Sequence, residues 1–197
     1  MADNTEKIES FRALALQVQC HAVNLAAIAS EKILYPEVAR CLAMRGAEFF
    51  LHSTPGVYDN TITPKDAEKI SRAVENMAYV VSANTAGIDN IPIPVASADG
   101  GSKIIDYRGK ALAQTTTGED LTAFAEIDLA ALRRDRHRPE LDNLPSRQRF
   151  ELYSKSYVQS GKRTRGRGQG AGGEVDRKHF IETQPKIIAR LAEFGII

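Results

Sequence analysis

Two side chains that could support nucleophilic chemistry follow neighbouring apolar runs of the sequence. Ser30 comes directly after the first run, and His52 ends the second. The carboxyl ends of adjacent parallel strands form the usual ligand crevice of an α/β sheet, so the sequence is compatible with a Ser30–His52 pair there. In such a pair the imidazole takes the hydroxyl proton, and Glu31 or Glu48 would orient the imidazole.

The same residues also have a purely structural interpretation. A serine after a strand is common at a turn that leads into a helix. A histidine at a strand end is often only a hydrogen-bonded loop residue, and Glu31 would then be a solvated surface acid. The sequence leaves both interpretations open for Ser30 and His52.

The two cysteines, Cys20 and Cys41, show no CxxC motif and no Cys/His spacing of a zinc site. Cys41 lies on the apolar stripe of a predicted helix, where we expect a buried thiol that acts as a small hydrophobe. Cys20 is the better candidate for an exposed thiol. We expect no metal and no cofactor.

Charge and hydropathy favour a soluble protein over a nucleic-acid binder or a membrane protein. The 197 residues carry 26 Lys and Arg against 25 Asp and Glu, which gives a formal net charge of +1. Nucleic-acid-binding domains usually show a marked basic excess. No apolar run approaches the ~20 residues that span a bilayer, and residues 1–10 are too polar for a signal peptide. We expect a cytoplasmic mixed α/β protein.

Apolar runs and helix signals alternate along the chain and predict a layered α/β fold. The runs 25–29 and 47–52 flank a helix between Pro36 and Gly46, which is the order of a parallel βαβ unit. Its apolar stripe is predicted to be Val38, Cys41, Leu42 and Met44. Further strands are predicted at 11–19, 78–83, 102–106 and 121–127.

A second helix is predicted from Thr63-Pro64 to about Asn76. Its core-facing side should carry Ala67, Ile70, Val74 and Met77. The turn Asp106-Tyr107-Arg108-Gly109 closes the strand 102–106 and predicts a hairpin with residues 110–115.

The C-terminal part is basic and glycine-rich before it becomes amphipathic. The stretch 161–173 holds six glycines, four basic residues and no acidic ones, which favours a flexible linker. This stretch and the cluster 133–138 could contact phosphates, but the linker lacks Phe and Tyr for base stacking, so a solvated interpretation is preferred. Residues 174–197 predict an amphipathic helix that docks on the body or on a neighbouring subunit.

Five blocks in one order resemble the nitrilase, or carbon–nitrogen hydrolase, superfamily. They are FRALALQVQ (11–19), the segment 28–50 with its Pro-Glu pair, RAVENMAYVVSAN (72–84), GGSKIIDYRGKALAQ (100–114) and AEIDLAAL (125–132). The resemblance covers residues 11–158. It implies a four-layer α-β-β-α sandwich and hydrolysis of amides or nitriles by a Cys, Glu and Lys set.

The nucleophile position departs from the family pattern. The family's Cys stands six residues before the Pro-Glu pair, and the same count from Pro36 reaches Ser30. A serine hydroxyl ionises much less readily than a thiol and needs a strong base. By resemblance Ser30 takes the nucleophile position and Glu31 supplies a backbone N–H to the oxyanion site. His52 would be a substitute base.

A second departure concerns the segments that carry the family's Glu and Lys. These lie between the first strand and the nucleophile strand, and here only residues 20–24 separate the two. The resemblance therefore implies a shortened member, inactive or strongly impaired towards amides and nitriles. The alternative is a non-catalytic subunit that forms homo-oligomers or binds a full-length relative, because the missing elements would leave apolar surface uncovered.

The expected organisation has four parts. They are an arm (1–10), a partial nitrilase-like sandwich (11–158, shortened between about 20 and 25), a basic linker (159–173) and a C-terminal amphipathic helix (174–197). Membrane and nucleic-acid partners are not expected.

Overall fold

The computed structural model describes residues 23–54, 64–86, 100–115, 122–163, 177–193 and 195. The chain divides into two units, residues 1–147 and 148–197. In the first unit, five strands form one sheet in the order β1 to β5. The strands are β1 Leu25–Ala29, β2 Phe49–Thr54, β3 Tyr79–Asn84, β4 Lys103–Ile105 and β5 Ala111–Gln114.

The first two helices follow the strands as the sequence predicts, whereas the fourth is a helix that it does not predict. The first unit has α1 Pro36–Ala43, α2 Pro64–Asn76, α3 Leu129–Arg136 and 3₁₀ turns at Ser30–Leu34 and Pro145–Arg147. The second unit has α4 Phe150–Arg163 and α5 Arg177–Glu193. Within the described ranges, no helix is long and apolar enough to cross a membrane.

Strand pairing confirms the α/β class and the βαβ unit. β1, β2 and β3 pair in parallel, whereas β4 and β5 add antiparallel to β3 as the predicted hairpin. The register aligns Ile28 with His52 and His52 with Ser82. These three side chains therefore form one cross-strand row on the same face of the sheet.

Each face of the sheet has its own apolar cluster. On one face, Phe50, Val80 and Ile105 pack with residues of α1, α2 and the turn after β1. On the other face, Phe49 and Tyr79 pack with Leu129 and Leu132 of α3. The alternation of strand side chains thus places the α1–α2 layer and α3 on opposite sides.

The buried sides of α1 and α2 differ from the predicted ones. In α1 the buried residues are Ala39 and Ala43, while Cys41 is exposed, so the prediction of a buried thiol is wrong. Small alanine side chains let α1 approach the sheet closely. In α2 the buried residues are Lys69, Arg72, Ala73 and Asn76.

The predicted apolar side of α2 lies largely away from the sheet. Ile70 is 42% exposed, and only Met77, just after the helix, is buried. Ile70 and Val74 instead approach the β4–β5 turn, where a Cβ on Gly109 would lie 2.8 Å from Val74 Cγ2. Gly109 has a φ of +86°, so both its backbone and this close approach require glycine.

The predicted strand 121–127 is wrong over its described part. Residues 122–128 alternate between exposed and half-buried positions, but they form no regular structure. The period-two pattern is present, yet the segment pairs with no strand of the described sheet, and pairing is what defines a strand. The predicted strand 11–19 lies outside the described residues.

The boundary of the predicted linker falls inside a helix. Residues 159–163 continue α4, and residues 164–176 lie outside the described ranges. The assignment of residues 1–10, 11–158 and 159–173 to separate segments stays a prediction. Helix α5 lies within the region that the sequence predicts to be helical.

Two arginines of α3 contact the chain just before β2 and β3, at the amino-terminal ends of these strands. Arg133 makes two hydrogen bonds to the Glu48 carboxylate, at 2.6 and 2.9 Å. Arg136 donates to the carbonyls of Met77 at 2.9 Å and Ala47 at 2.8 Å. The hydrogen bonds from Arg133 lower the pKa of the Glu48 carboxyl group, although the burial of Glu48 acts in the opposite direction.

We predict that Arg133→Ala lowers the free energy of unfolding by about 1–3 kcal/mol at neutral pH, because it leaves the buried Glu48 carboxylate without its guanidinium. A carboxyl group with a lowered folded-state pKa stabilises the fold above its unfolded-state pKa. That contribution is lost as the pH falls through the folded-state value. The difference between variant and parent should therefore be smaller at a pH below the ordinary glutamate pKa of about 4.3 than at neutral pH.

Urea unfolding at both pH values measures this effect. Arg134→Ala is the matched control, because Arg134 is exposed and is the next residue of the same helix. Equal losses from Arg133→Ala and Arg134→Ala would contradict the prediction.

Candidate functional site

Ser30 lies where β1 ends and a short 3₁₀ turn begins. The turn runs from Ser30 to Leu34, and we call it the Ser30 turn. Tyr35 is extended, as expected for a residue before proline, and it separates the turn from α1. Ser30 is therefore at the carboxyl end of a strand and just before a helix, as the sequence predicts.

The backbone of Ser30 adopts a left-handed conformation. Its φ is +42°, in a region that non-glycine residues rarely occupy. Such conformations persist only when surrounding contacts hold them, and they are frequent at functional sites. The contacts that hold this turn come from β2 and α2.

His52 binds the Ser30 turn from the next strand. Its Nε2 lies 2.9 Å from the Ser30 carbonyl oxygen, and its Nδ1 lies 2.9 Å from Ser82 Oγ. A carbonyl oxygen only accepts, so Nε2 carries the proton, and in the neutral ring Nδ1 accepts the Ser82 hydroxyl proton. Both ring nitrogens are thus used by groups other than the Ser30 hydroxyl.

Burial and neighbouring lysines keep the His52 imidazole neutral. The residue is 2% exposed. Burial has the largest effect on the pKa of His52, and the Ser30 carbonyl opposes it. Together with the positive charges of Lys69 and Lys65, burial lowers this pKa to about 4. A base of this strength is a poor proton acceptor at neutral pH.

Three lysines surround the same end of the sheet. Asp66, in the first turn of α2, accepts hydrogen bonds from Lys69 at 3.1 Å and Lys103 at 2.9 Å. Lys65 donates to Thr54 Oγ1 at 2.9 Å. Burial would raise the pKa of Asp66, but the two lysines outweigh it and lower the pKa. The site around His52 is therefore positively charged and contains an ionised carboxylate.

Arg72 holds the far end of the Ser30 turn. Its Nε donates to the Ile33 carbonyl at 3.0 Å and its Nη2 to the Leu34 carbonyl at 3.2 Å. The guanidinium also binds the carboxylates of Glu68 and Glu75. These carbonyls end the 3₁₀ turn, where they lack partners within the turn, so Arg72 acts as its C-terminal cap.

The structure brings together some of the predicted site residues and separates others. Ser30 and His52 are in contact, but through the serine carbonyl rather than the hydroxyl. The Glu31 carboxylate is exposed and pairs with Lys32 at 2.9 Å. Glu48 cannot orient His52, because its carboxylate binds Arg133. Glu48 lies just before β2 and four residues before His52, which is about 13 Å at the usual strand rise.

Sequence reasoning missed three residues of this site, namely Ser82, Lys69 and Arg72. Ser82 has a recognisable signal, since it is the one aliphatic hydroxyl in the apolar run 78–83 and falls in register with His52. Lys69 and Arg72 are spaced as one helical face, but charged residues at that spacing are normally solvated. Their burial depends on partners that only the fold supplies.

The sequence also matches a family model. Residues 6–137 match the model described as Carbon-nitrogen hydrolase, which is more than half of the chain. This chain therefore belongs to the carbon–nitrogen hydrolase family.

Solved structures share its fold. The carbon–nitrogen hydrolase from Helicobacter pylori G27 is 20% identical with a TM-score of 0.57, over 67% of this chain and 48% of that one. The Caenorhabditis elegans NitFhit protein is 28% identical with a TM-score of 0.56, over 66% and 30%.

A third similar structure is a glutamate-to-glutamine mutant of the amidase from Nesterenkonia sp. AN1, with acetamide covalently added at its active-site cysteine. It is 25% identical with a TM-score of 0.50, over 66% of this chain and 43% of that one. The chain thus spans less than half the length of each of these three relatives.

We predict that the His52 imidazole stays neutral until about pH 4, because burial and the nearby lysines disfavour its cation. A histidine pKa lowered on folding stabilises the protein above the unfolded value near 6.5. That stability is lost as the pH falls through the folded value. Between these limits, the free energy of unfolding should fall by up to about 1.4 kcal/mol per pH unit.

Long-range proton–nitrogen NMR spectra of the imidazoles measure the pKa directly, and His52→Gln identifies the His52 signals. The same variant should flatten the pH dependence of stability between about 4 and 6.5. An imidazole of His52 that titrates near 6.5 would show that the site is open to water.

Proposed function

We propose that this chain is a carbon–nitrogen hydrolase family member that does not hydrolyse amides or nitriles at a useful rate. Ser30 occupies the position of the family's nucleophile but has no effective base. The observation that carries the proposal is the hydrogen bonding of His52, whose ring nitrogens bind the Ser30 carbonyl and the Ser82 hydroxyl.

The chemistry of the two side chains supports this proposal. Attack by a serine requires a base that removes the hydroxyl proton in the transition state. Such a base works best with a pKa near the working pH, whereas that of His52 is about 4. The amidase from Nesterenkonia sp. carries its covalent acetamide on a cysteine, whereas this chain has a serine at the family's nucleophile position.

The shortening of the chain between about residues 20 and 25 also supports the proposal that the chain does not hydrolyse amides or nitriles. The family's Glu and Lys, as the resemblance implies them, have no counterpart there in the sequence. If any activity remains, its substrate would be a small amide or nitrile, and Glu31 would supply a backbone N–H to the oxyanion. We expect the protein to act in the cytoplasm.

We predict that the purified chain releases no ammonia from a panel of aliphatic amides and nitriles above the level of Ser30→Ala. Ser30→Cys supplies the family's thiol and should also release no ammonia above the level of Ser30→Ala, because the missing base limits the reaction. An enzyme-coupled ammonia assay measures all three proteins. Circular dichroism provides the control that each is folded.

Two results would contradict this proposal. Ammonia release by the parent that Ser30→Ala abolishes would establish Ser30 as an active nucleophile. Turnover by Ser30→Cys alone would show that a working base is present and that only the nucleophile was lost.

The alternative is a non-catalytic subunit that self-associates, and exposed apolar side chains favour it. Helix α4 exposes five large apolar residues, and α5 exposes Ile181 and Ile188. Large apolar patches on a surface commonly mark an interface. We propose a second copy of this chain as the partner, and a full-length relative would serve the same role. The α4 residues are Phe150, Leu152, Tyr153, Tyr157 and Val158.

We predict a dimer or larger homo-oligomer that the double substitution Ile181→Glu and Ile188→Glu weakens at least about tenfold, because charge on an apolar interface opposes its desolvation. Light scattering coupled to size exclusion over a concentration series measures the mass. The matched control is Gln184→Glu with Ala189→Glu, which adds the same charge at other exposed positions of α5. A monomer mass for the parent at every concentration would reject self-association.

A further inference from the structure

We propose that Arg72 is a positioning residue for the Ser30 side chain, acting through the backbone of the Ser30 turn. The inference goes beyond the proposed function, because it concerns how the turn is held whether or not Ser30 reacts. It rests on four contacts of one buried guanidinium and on the left-handed conformation of Ser30.

The carbonyl groups of the Ser30 turn are held from three directions. His52 binds the Ser30 carbonyl at 2.9 Å, and the Tyr35 amide binds the Lys32 carbonyl at 3.3 Å. Arg72 binds two more, those of Ile33 and Leu34 at the end of the turn. With both ends anchored, the turn has little freedom to relax the unfavourable φ of Ser30.

The geometry requires arginine and not merely a positive charge. The planar guanidinium presents several N–H donors in fixed directions, so one group reaches two successive carbonyls and two carboxylates. A lysine ammonium would supply the charge but could not point at both carbonyls in the same way. The carboxylates of Glu68 and Glu75 compensate the charge and orient the group.

The position of Arg72 excludes a role at the surface. The residue is 4% exposed and lies on the sheet side of α2, beside Ala73. Asn76, one turn later, donates to the Arg72 carbonyl at 2.9 Å and fixes this part of the helix. Arg72 thus links the α2 layer to the segment that follows β1. Its guanidinium does so by hydrogen bonds to backbone carbonyls of that segment.

The test uses a thiol as a reporter of the Ser30 position. In a parent carrying Ser30→Cys and Cys20→Ala, iodoacetamide labels the thiol at position 30 and that of Cys41, which is exposed on α1 and serves as the internal reference. Peptide mass spectrometry gives both rates in one sample. The measured quantity is the rate at position 30 divided by the rate at Cys41.

Arg72→Lys should raise this ratio on the order of tenfold, because the turn then opens without its two backbone hydrogen bonds. Glu75→Gln, which leaves Arg72 in place but removes one orienting charge, should give a smaller rise. This second variant keeps the proposal testable if Arg72→Lys does not fold. The control is Arg133→Ala, which we expect to destabilise the protein from the other end of the sheet.

The outcomes separate positioning from general stability. A rise in Arg72→Lys and Glu75→Gln that Arg133→Ala lacks supports the proposal. An unchanged ratio in the Arg72 variant, or an equal rise in Arg133→Ala, overturns it. Labelling needs no substrate turnover, so failure here is distinct from failure of the proposed function, which ammonia release by the parent chain would show.

Discussion

The parallel pairing of β1 with β2 is the constraint on which the candidate site depends. Its register aligns Ile28 with His52, and that of β2 with β3 aligns His52 with Ser82. Since side chains alternate along a strand, a shift of one residue would turn His52 to the opposite face and break its hydrogen bonds with the Ser30 carbonyl and Ser82. The apolar side chains of the two faces fix this register, because a shift would also move Phe50 out of the cluster that it forms with Val80 and Ile105.

The two ends of the sheet use charged side chains in different ways. At the amino-terminal end, arginines of α3 bind Glu48 and backbone carbonyls, and the basic cluster thereby serves the fold. At the carboxyl-terminal end, Lys69 and Lys103 share Asp66, while Lys69 and Lys65 help to keep His52 neutral. The net positive charge near His52 opposes the cation that a general base must form. This electrostatic setting supports the proposal of a non-hydrolytic member more strongly than the serine substitution does.

Family membership and catalytic chemistry are separate properties of this chain. The family model matches residues 6–137 of the sequence, and the fold shared with solved structures depends on the order of strands and helices. Hydrolysis depends on a few side chains at the carboxyl ends of the strands, and one fold can carry or lose them without changing its core. We propose Ser30 at the place of the nucleophile, and the contacts around it hold the backbone of the turn rather than activate the hydroxyl.

The sequence alone determined the α/β class, the family, the order of β1 to β5 with α1 and α2, and the place of Ser30 between a strand and a helix. These depend on local signals, such as the apolar runs, Pro36 at a helix start and Gly109 in a hairpin, and such signals act over a few residues. The sequence could not determine which face of α2 is buried. Hydrophobic periodicity favoured Ile70 and Val74, but Arg72 and Asn76 lie inside because each finds a hydrogen-bond partner there.

The role of His52 was likewise decided only in three dimensions. A histidine at a strand end is compatible with a catalytic base or with a structural contact. The choice depends on which atoms of Ser30 and Ser82 reach its ring. Strand pairing brings together residues 22 and 30 positions apart, and burial then sets the protonation of the ring. No local sequence pattern specifies contacts between residues so far apart in the chain. The sequence therefore suggests the Ser30–His52 pair, but only the tertiary structure shows which atoms of the two residues are in contact.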